Sequence, residues 1–311
     1  MGKTFVPVAP LQSADGTTWR AEDRPCPICE SKVHKRIGAR GGRAQRDGKG
    51  VETAVVRCLN CDLLYTQPVL LPESNPYTKE SADEYFRLHN PQTKIATGEW
   101  LADTAEKILG SKGSMLELGC GRGELLAGAA NRGWSVCGVE MTEEFANIAT
   151  AKNIEIEYSS IEKCRSLERT YDVILLAAIL EHLYEPLETL KQVREALRPG
   201  GLVFIDVPNE LSLAMKFGNF YMRARRKDWT INLSPTFSPF HVVGYSPSTL
   251  RRALEENGFE VHTLNVVKWN MEINQGNTLT QKIQNSMFNA VQSVGALLQM
   301  GDGITCWAIR K

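Results

Sequence analysis

Hydrophobic and polar positions change rhythm along the chain near residue 96. Beyond it, short apolar runs bounded by turn residues alternate with stretches whose apolar positions recur every three or four residues. That alternation predicts a parallel sheet with crossover helices. The runs place strands at 114–118, 135–139, 154–157, 171–177 and 202–207, and helices at 97–109, near 123–132, near 142–151 and at 186–197. "RPGG" at 198–201 reads as a helix stop and a tight turn into the fifth strand. Ser246 is an N-cap with Pro247 at the first helical position, and Gly258 ends that helix. "EVHTLNVVKW" then supplies a sixth strand. "TLTQ" at 278–281 has capping-box form, and Leu279, Ile283, Met287, Val291, Val294 and Leu298 make an amphipathic stripe after it. The simpler expectation for that stripe is packing on the sheet, with a dimer seam as the alternative, so the chain is a monomer or a homodimer. "ITCWAIRK" is the closing strand.

Before residue 96 the picture differs. Residues 1–70 carry little apolar periodicity, and 71–95 are polar and Pro-rich with interspersed aromatics, as in a linker that docks on a neighbouring domain. Lys and Arg number 36, and so do Asp and Glu, so no global field recruits nucleic acid or an anionic membrane. No stretch approaches the roughly 20 apolar residues a membrane span needs. The first residues have no apolar h-region, and Val6 stands where a myristoylation signal needs Ser or Thr. A cytoplasmic protein is expected.

The candidate chemistry begins at "MLELGCGRGELLAG", residues 115–128. Gly119-x-Gly121-x-Gly123 brings the third glycine one residue too early for a dinucleotide fingerprint, and no Gly-Lys-Ser/Thr follows for a phosphate loop. Glu117 stands at the preceding strand end, where a carboxylate repels a pyrophosphate and attracts an amino group. Glu140, 21 residues after Gly119, ends the next strand and suits the two hydroxyls of an unphosphorylated ribose. Two strand-end carboxylates flanking a glycine turn ask for a nucleoside with a cationic tail.

"LELGCGRGELL", "VCGVEMTEEFANIA", "YDVILLAAILEHLYEP" and "ALRPGGLVFIDVPN" occur in order over about 96–265. Together they resemble the motifs of class I S-adenosylmethionine-dependent methyltransferases. The resemblance implies an α/β, Rossmann-like sheet, mostly parallel with the last strand antiparallel. It further implies that Glu117 and the backbone of Gly119, Cys120, Gly121 and Gly123 hold the methionine end of S-adenosylmethionine. Glu140 then holds the ribose, Met141 packs on the adenine, and Ile161 offers it a backbone N–H. Ser160 stands where the family usually has Asp, so its contact with the adenine is uncharged. A methyltransferase fold without activity would keep the same motifs.

The acceptor is expected outside the carboxyl ends of the strands. Glu181 and His182 follow the fourth strand directly, and His182 suits removal of a proton from a hydroxyl or amine. His241, with Tyr245 nearby, is the second candidate base. Between Asn209 and His241 lie 31 residues, longer than a crossover needs. This insert, 209–241, reads as a substrate lid, with Tyr221, Arg223, Arg225 and Arg226 suited to phosphate or carboxylate. A solvated helix face is the plainer account of the same charges.

Cys26-x-x-Cys29 and Cys58-x-x-Cys61 have the spacing of two knuckles of a tetrahedral structural zinc site. The intervening residues, including Lys35, Arg36, Arg40, Arg43, Arg46 and Lys49, read as an inserted basic loop. A zinc ribbon (1–70), a linker (71–95) with "DEYF", and a methyltransferase domain (96–311) resemble a broad bacterial group tied to sugars, surface glycans and secondary metabolites. The expected activity is methyl transfer to a hydroxyl or amine of a small, anionic acceptor. The alternative is an RNA-modifying enzyme gripping phosphates with the zinc ribbon and its loop, against which overall neutrality argues.

Overall fold

The computed structural model describes residues 11–76, 90–152, 154–269 and 278–311, so "DEYF" at 83–86 lies outside the described residues. The chain forms two compact units: Met1–Thr78 with Met215–Gly244, and Lys79–Ala214 with Tyr245–Lys311. The sequence assigns the whole insert to the methyltransferase domain, whereas most of it clusters with the N-terminal residues.

The first unit holds two small antiparallel sheets. One has the order β1 (Leu11–Gln12), β2 (Thr18–Glu22), β6 (Val69–Pro72); the other runs β12 (Val243–Gly244), β5 (Leu64–Thr66), β4 (Thr53–Cys58), β3 (His34–Arg40). Trp19, Val55, Leu63, Tyr65 and Leu70 are buried within them. The stretch read as a basic loop is therefore half strand: β3 pairs with β4 from His34↔Cys58 to Arg40↔Thr53. Part of the insert lies along it, with Ala39 donating its N–H to Asp228 O and accepting from Thr230 N–H. Gly38 permits the approach, because a Cβ there would stand 2.9 Å from the Thr230 nitrogen.

The second unit is a seven-stranded sheet of order β13 (Phe259–Val267), β14 (Gly303–Arg310), β11 (Leu197–Pro208), β10 (Tyr171–Ala177), β7 (Ser114–Leu118), β8 (Ser135–Glu140), β9 (Glu155–Tyr158). Strands β7 to β11 pair in parallel, and β14 runs antiparallel to both β11 and β13. Connections reverse direction between β7 and β10, which creates the switch point where open α/β sheets hold ligands. The helix ending at Ala196 stops as expected, but "RPGG" does not make a free turn. It forms the bulged start of β11, whose pairing with β10 steps from Tyr171↔Leu197 to Val173↔Leu202.

Helix α1 (Pro91–Leu109) begins six residues before its expected start, because the Asn90 side chain accepts the N–H of Gln92 and Pro91 opens the first turn. It packs on α2 (Glu124–Asn131) at backbone distance. A Cβ on Gly98 would collide with the Leu125 carbonyl, and one on Gly128 with the Ile95 carbonyl. Both helices cover one face of the sheet, burying Leu101, Ala105, Leu125 and Ala129 against Met115, Leu175, Phe204 and Trp307. The remaining helices are α3 (Glu143–Thr150), α4 (Pro186–Ala196), α5 (Leu213–Ala224), α6 (Pro247–Glu256) and α7 (Leu279–Leu297). Capping boxes at Ser246 and Thr278 start α6 and α7. The stripe on α7 departs from the packing expectation at its C-terminal end: Val294 and Leu298 are exposed, while Gln292 and Gly295 turn inward. The side chains of Leu279, Ile283 and Met287 lie outside the described residues.

Candidate active site

The glycine turn after β7 is a left-handed run: φ is 70° at Gly119, 56° at Gly121 and 72° at Gly123. Residues with a Cβ resist these angles, so glycine is required at each. Gly119 is also crowded by Ile179, whose side chain a Cβ would strike. The loop is pinned by the N–H groups of Gly119 and Cys120, which both donate to Val139 O, at 2.8 and 3.0 Å. Cys120 turns its sulfur inward over Gly138, leaving only backbone toward a ligand.

Register aligns the acids. Glu117 pairs with Leu175 on β10 and with Gly138 on β8, and Ala177 pairs with Asp206 on β11. Leu175 and Ala177 share a face, as do Gly138 and Glu140, because side chains alternate along a strand. Glu140, Glu117 and Asp206 therefore share one face near the carboxyl edge, the face that α1 covers, with Glu117 two residues deeper than the other two. Asp206 was not recognised from the sequence. In "VFIDVPN" a lone acid inside an apolar strand gives no sign of which face it takes.

The three acids differ in state. Glu140 accepts the N–H groups of Gly121 (2.9 Å) and Thr142 (2.7 Å). Glu117 is buried, and among the described residues its Oε2 has no hydrogen-bond partner. Burial pushes its carboxyl up to about 8; Lys94 on α1 opposes that shift, and Glu124 and Glu140 add to it. Asp206 Oδ1 is likewise buried without a partner, and burial pushes this carboxyl up to about 7 against the pull of Lys94. Lys94, the cation acting on both buried carboxyls, falls in a stretch that the sequence reads as linker.

A buried carboxylate beside a glycine turn fits the ammonium of an amino-acid tail, and Glu140, held to the turn by the Gly121 N–H, fits a ribose. These residues suit S-adenosylmethionine. Toward the adenine side, Met141 is exposed, and Ser160 and Ile161 are half-buried at a 3-10 turn, Ile161–Lys163.

On the β10 side, Glu181 and His182 lie in the 3-10 turn Leu180–His182, with His182 Nε2 3.8 Å from Glu181 Oε1. Burial holds the Glu181 carboxyl well above the usual range, and Asp206 and Glu210 reinforce it. His241 belongs to the first unit, where its N–H donates to Ser234 Oγ. Asn209 is buried and committed to the backbone: its Nδ2 donates to Gly301 O at 2.7 Å and its Oδ1 accepts from Leu211 N–H. Tyr245 is fully buried beside it, and its carbonyl accepts from Glu210 N–H. On α5, Tyr221 is exposed and its hydroxyl accepts from Arg225 Nη1 at 3.0 Å; Arg223 and Arg226 are exposed as well.

In the first unit the four cysteines converge. Cys26 and Cys61 sulfurs are 3.5 Å apart, Cys29 and Cys58 3.4 Å, and all four lie within 4.8 Å of one another. Each pair sits on the same turn, with Glu30 N–H donating to Cys26 O and Asp62 N–H to Cys58 O, and Glu30 and Asp62 both left-handed. A tetrahedral zinc with Zn–S of about 2.3 Å fits such a cluster. Two basic residues of the adjacent hairpin are used internally: Arg36 pairs with Asp228 at 2.6 Å, and Arg40 donates to Leu233 O and lies over the Phe237 ring.

A family model described as a methyltransferase domain matches residues 88–264. The ubiquinone biosynthesis O-methyltransferase of Aeromonas salmonicida (strain A449) is 27% identical over 178 residues, covering 55% of this chain and 72% of that protein. The mitochondrial ubiquinone biosynthesis O-methyltransferase of Homo sapiens is 30% identical over 170 residues, covering 50% of this chain and 43% of that one. Among solved structures, the plantazolicin methyltransferase BpumL in complex with SAH superposes with a TM-score of 0.52 at 18% identity, covering 76% of this chain and 91% of that one. At that identity the likeness shows the fold. Among the described residues no helix is long and apolar enough to cross a membrane.

Proposed function

Because the chain belongs to the methyltransferase domain family, we propose that it transfers a methyl group from S-adenosylmethionine to a hydroxyl or amine of a small acceptor. The observation that carries this reading is Glu117, a buried carboxylate beside a left-handed glycine turn whose Oε2 has no partner among the described residues. When bound, S-adenosylmethionine supplies an electrophilic methyl on a sulfonium. Glu117 holds the ammonium end, Glu140 the ribose, and the glycine backbone lets the ligand approach closely. Met141, Ser160 and Ile161 line the adenine side.

His182, with Glu181 behind it, takes the acceptor's proton in this reading; His241 is the other candidate. The acceptor carries an anionic group, for which the exposed Arg223, Arg225 and Arg226 with Tyr221 supply the recognition chemistry, as a sugar, nucleotide-sugar, glycan or secondary metabolite does. Asn209 and Tyr245, both buried, complete the substrate-binding set of this reading. Cys26, Cys29, Cys58 and Cys61 hold a structural zinc, because four thiolates leave no open position for catalysis.

RNA is the second reading, motivated by Arg43, Arg46 and Lys49. It is weakened by the use of Arg36 and Arg40 within the unit. Incubation with labelled S-adenosylmethionine and cell metabolites, with RNA treated separately, decides between the two. Label entering small molecules supports the first reading, and label entering only RNA replaces it.

A further inference from the structure

Asp206 is a buried acid that the reading above leaves without a task. It shares a face with Glu117 and Glu140, but the three are not equally spaced. Glu140 and Glu117 are on neighbouring strands β8 and β7, whereas Asp206 lies two strands beyond Glu117, across β10. Strands are about 4.8 Å apart, so Asp206 stands roughly 10 Å across the sheet from Glu117 and two residues nearer the carboxyl edge. On that face β10 places Leu175 level with Glu117 and the methyl of Ala177 level with Asp206. A nucleoside anchored by Glu140 and Glu117 occupies the β8 and β7 side of the switch point. The β10 and β11 side is left to the acceptor, and there Asp206 presents an oxygen with no partner among the described residues.

Resting on the methyltransferase reading, we infer that Asp206 is an acceptor-binding residue whose carboxylate receives the hydrogen bond of the acceptor's nucleophilic O–H or N–H. Such a group selects for a hydroxyl or an ammonium at the reacting end and against a carboxylate or phosphate there, because two anions cannot share the position. The acceptor's anionic group must then lie away from the reacting atom. Glu181 and Glu210 act electrostatically in the same direction, and Lys94 is the cation that moderates the row.

Sinefungin tests this without knowledge of the acceptor, because its amine replaces the sulfonium methyl and so projects where the acceptor binds. S-adenosylhomocysteine lacks that amine and serves as the reference. By titration calorimetry, sinefungin should bind the wild-type protein roughly tenfold more tightly than S-adenosylhomocysteine, as a charge-assisted hydrogen bond provides. In Asp206→Asn and Asp206→Ser the preference should vanish, while affinity for S-adenosylhomocysteine stays within about twofold. A preference that survives in the variants overturns the inference. So does an equal loss for both ligands, which would assign Asp206 to the cofactor or to folding. If wild-type protein binds neither ligand, the methyltransferase reading itself falls.

Discussion

The backbone N–H of Gly121 donates to Glu140 Oε2 at 2.9 Å, tying the glycine turn after β7 to the end of β8. In the proposed reading this carboxylate has two duties: it orders the loop, and it offers its remaining lone pairs to a ribose. Glu140→Ala removes both. S-adenosylhomocysteine affinity should fall by about tenfold to a hundredfold, the scale of one or two charge-assisted hydrogen bonds. Titration calorimetry measures it, and unchanged affinity would sink the cofactor assignment.

Glu117 predicts a proton signature. Its carboxyl is raised from an ordinary 4.5 to about 8 by burial, so at pH 7 it is largely protonated before ligand arrives. An ammonium at that position favours the ionised form, so binding at pH 7 should release a proton. Affinity should also rise with pH, by up to tenfold per unit, until about 8. Calorimetry in buffers of different ionisation enthalpy reads the proton directly, and Glu117→Gln should abolish it.

The same shift sets the pH dependence of folding. A group protonated more readily in the folded state contributes stability in acid, and that contribution is lost as pH rises from about 4.5 through about 8. Ligand-free wild type should therefore lose stability relative to Glu117→Gln over that window. Urea midpoints at pH 5 and pH 8 test the sign.

Gly98→Ala would be mildly favourable in an isolated helix, by about 1 kcal/mol. Here the added methyl meets the Leu125 carbonyl on α2. Overpacking of this kind costs about 1–3 kcal/mol. The thermal midpoint should drop by several degrees, and a rise would show that the two helices can separate freely.

For the cysteine cluster, elemental analysis should find one zinc per chain, and Cys58→Ser should lose it. A strong chelator should unfold the first unit, seen as loss of protection at Val55, Tyr65 and Leu70 in hydrogen exchange, because structural zinc energy is folding energy.

The glycine turn was legible because three left-handed positions in five residues leave a mark in composition. The strand-end acids Glu117 and Glu140 were legible from spacing. Asp206 was not, because its meaning lies in the pairing of Ala177 with Asp206, which is a property of two strands and not of either sequence. Lys94 escaped notice because an Asn cap and Pro91 start the helix inside a polar stretch with weak periodicity. The hairpin at His34–Arg40 was hidden by its own charges, since Lys35, Arg36 and Arg40 imitate a loop while their backbone pairs with β4. Residues 209–241 read as an insert in one domain because the chain enters and leaves them there, although most of them cluster with the other.

The staggered acids Glu140, Glu117 and Asp206 work as a ruler whose graduations are cut in the backbone. Hydrogen bonding between strands sets its divisions, so no side-chain exchange can stretch it. A ligand too long or too short between ribose and amine misses a mark, however well its ends match. Change in what this protein accepts is therefore confined to what stands beyond the last graduation: the turns after β10 and β11, whose backbone is free to vary while the scale stays the same.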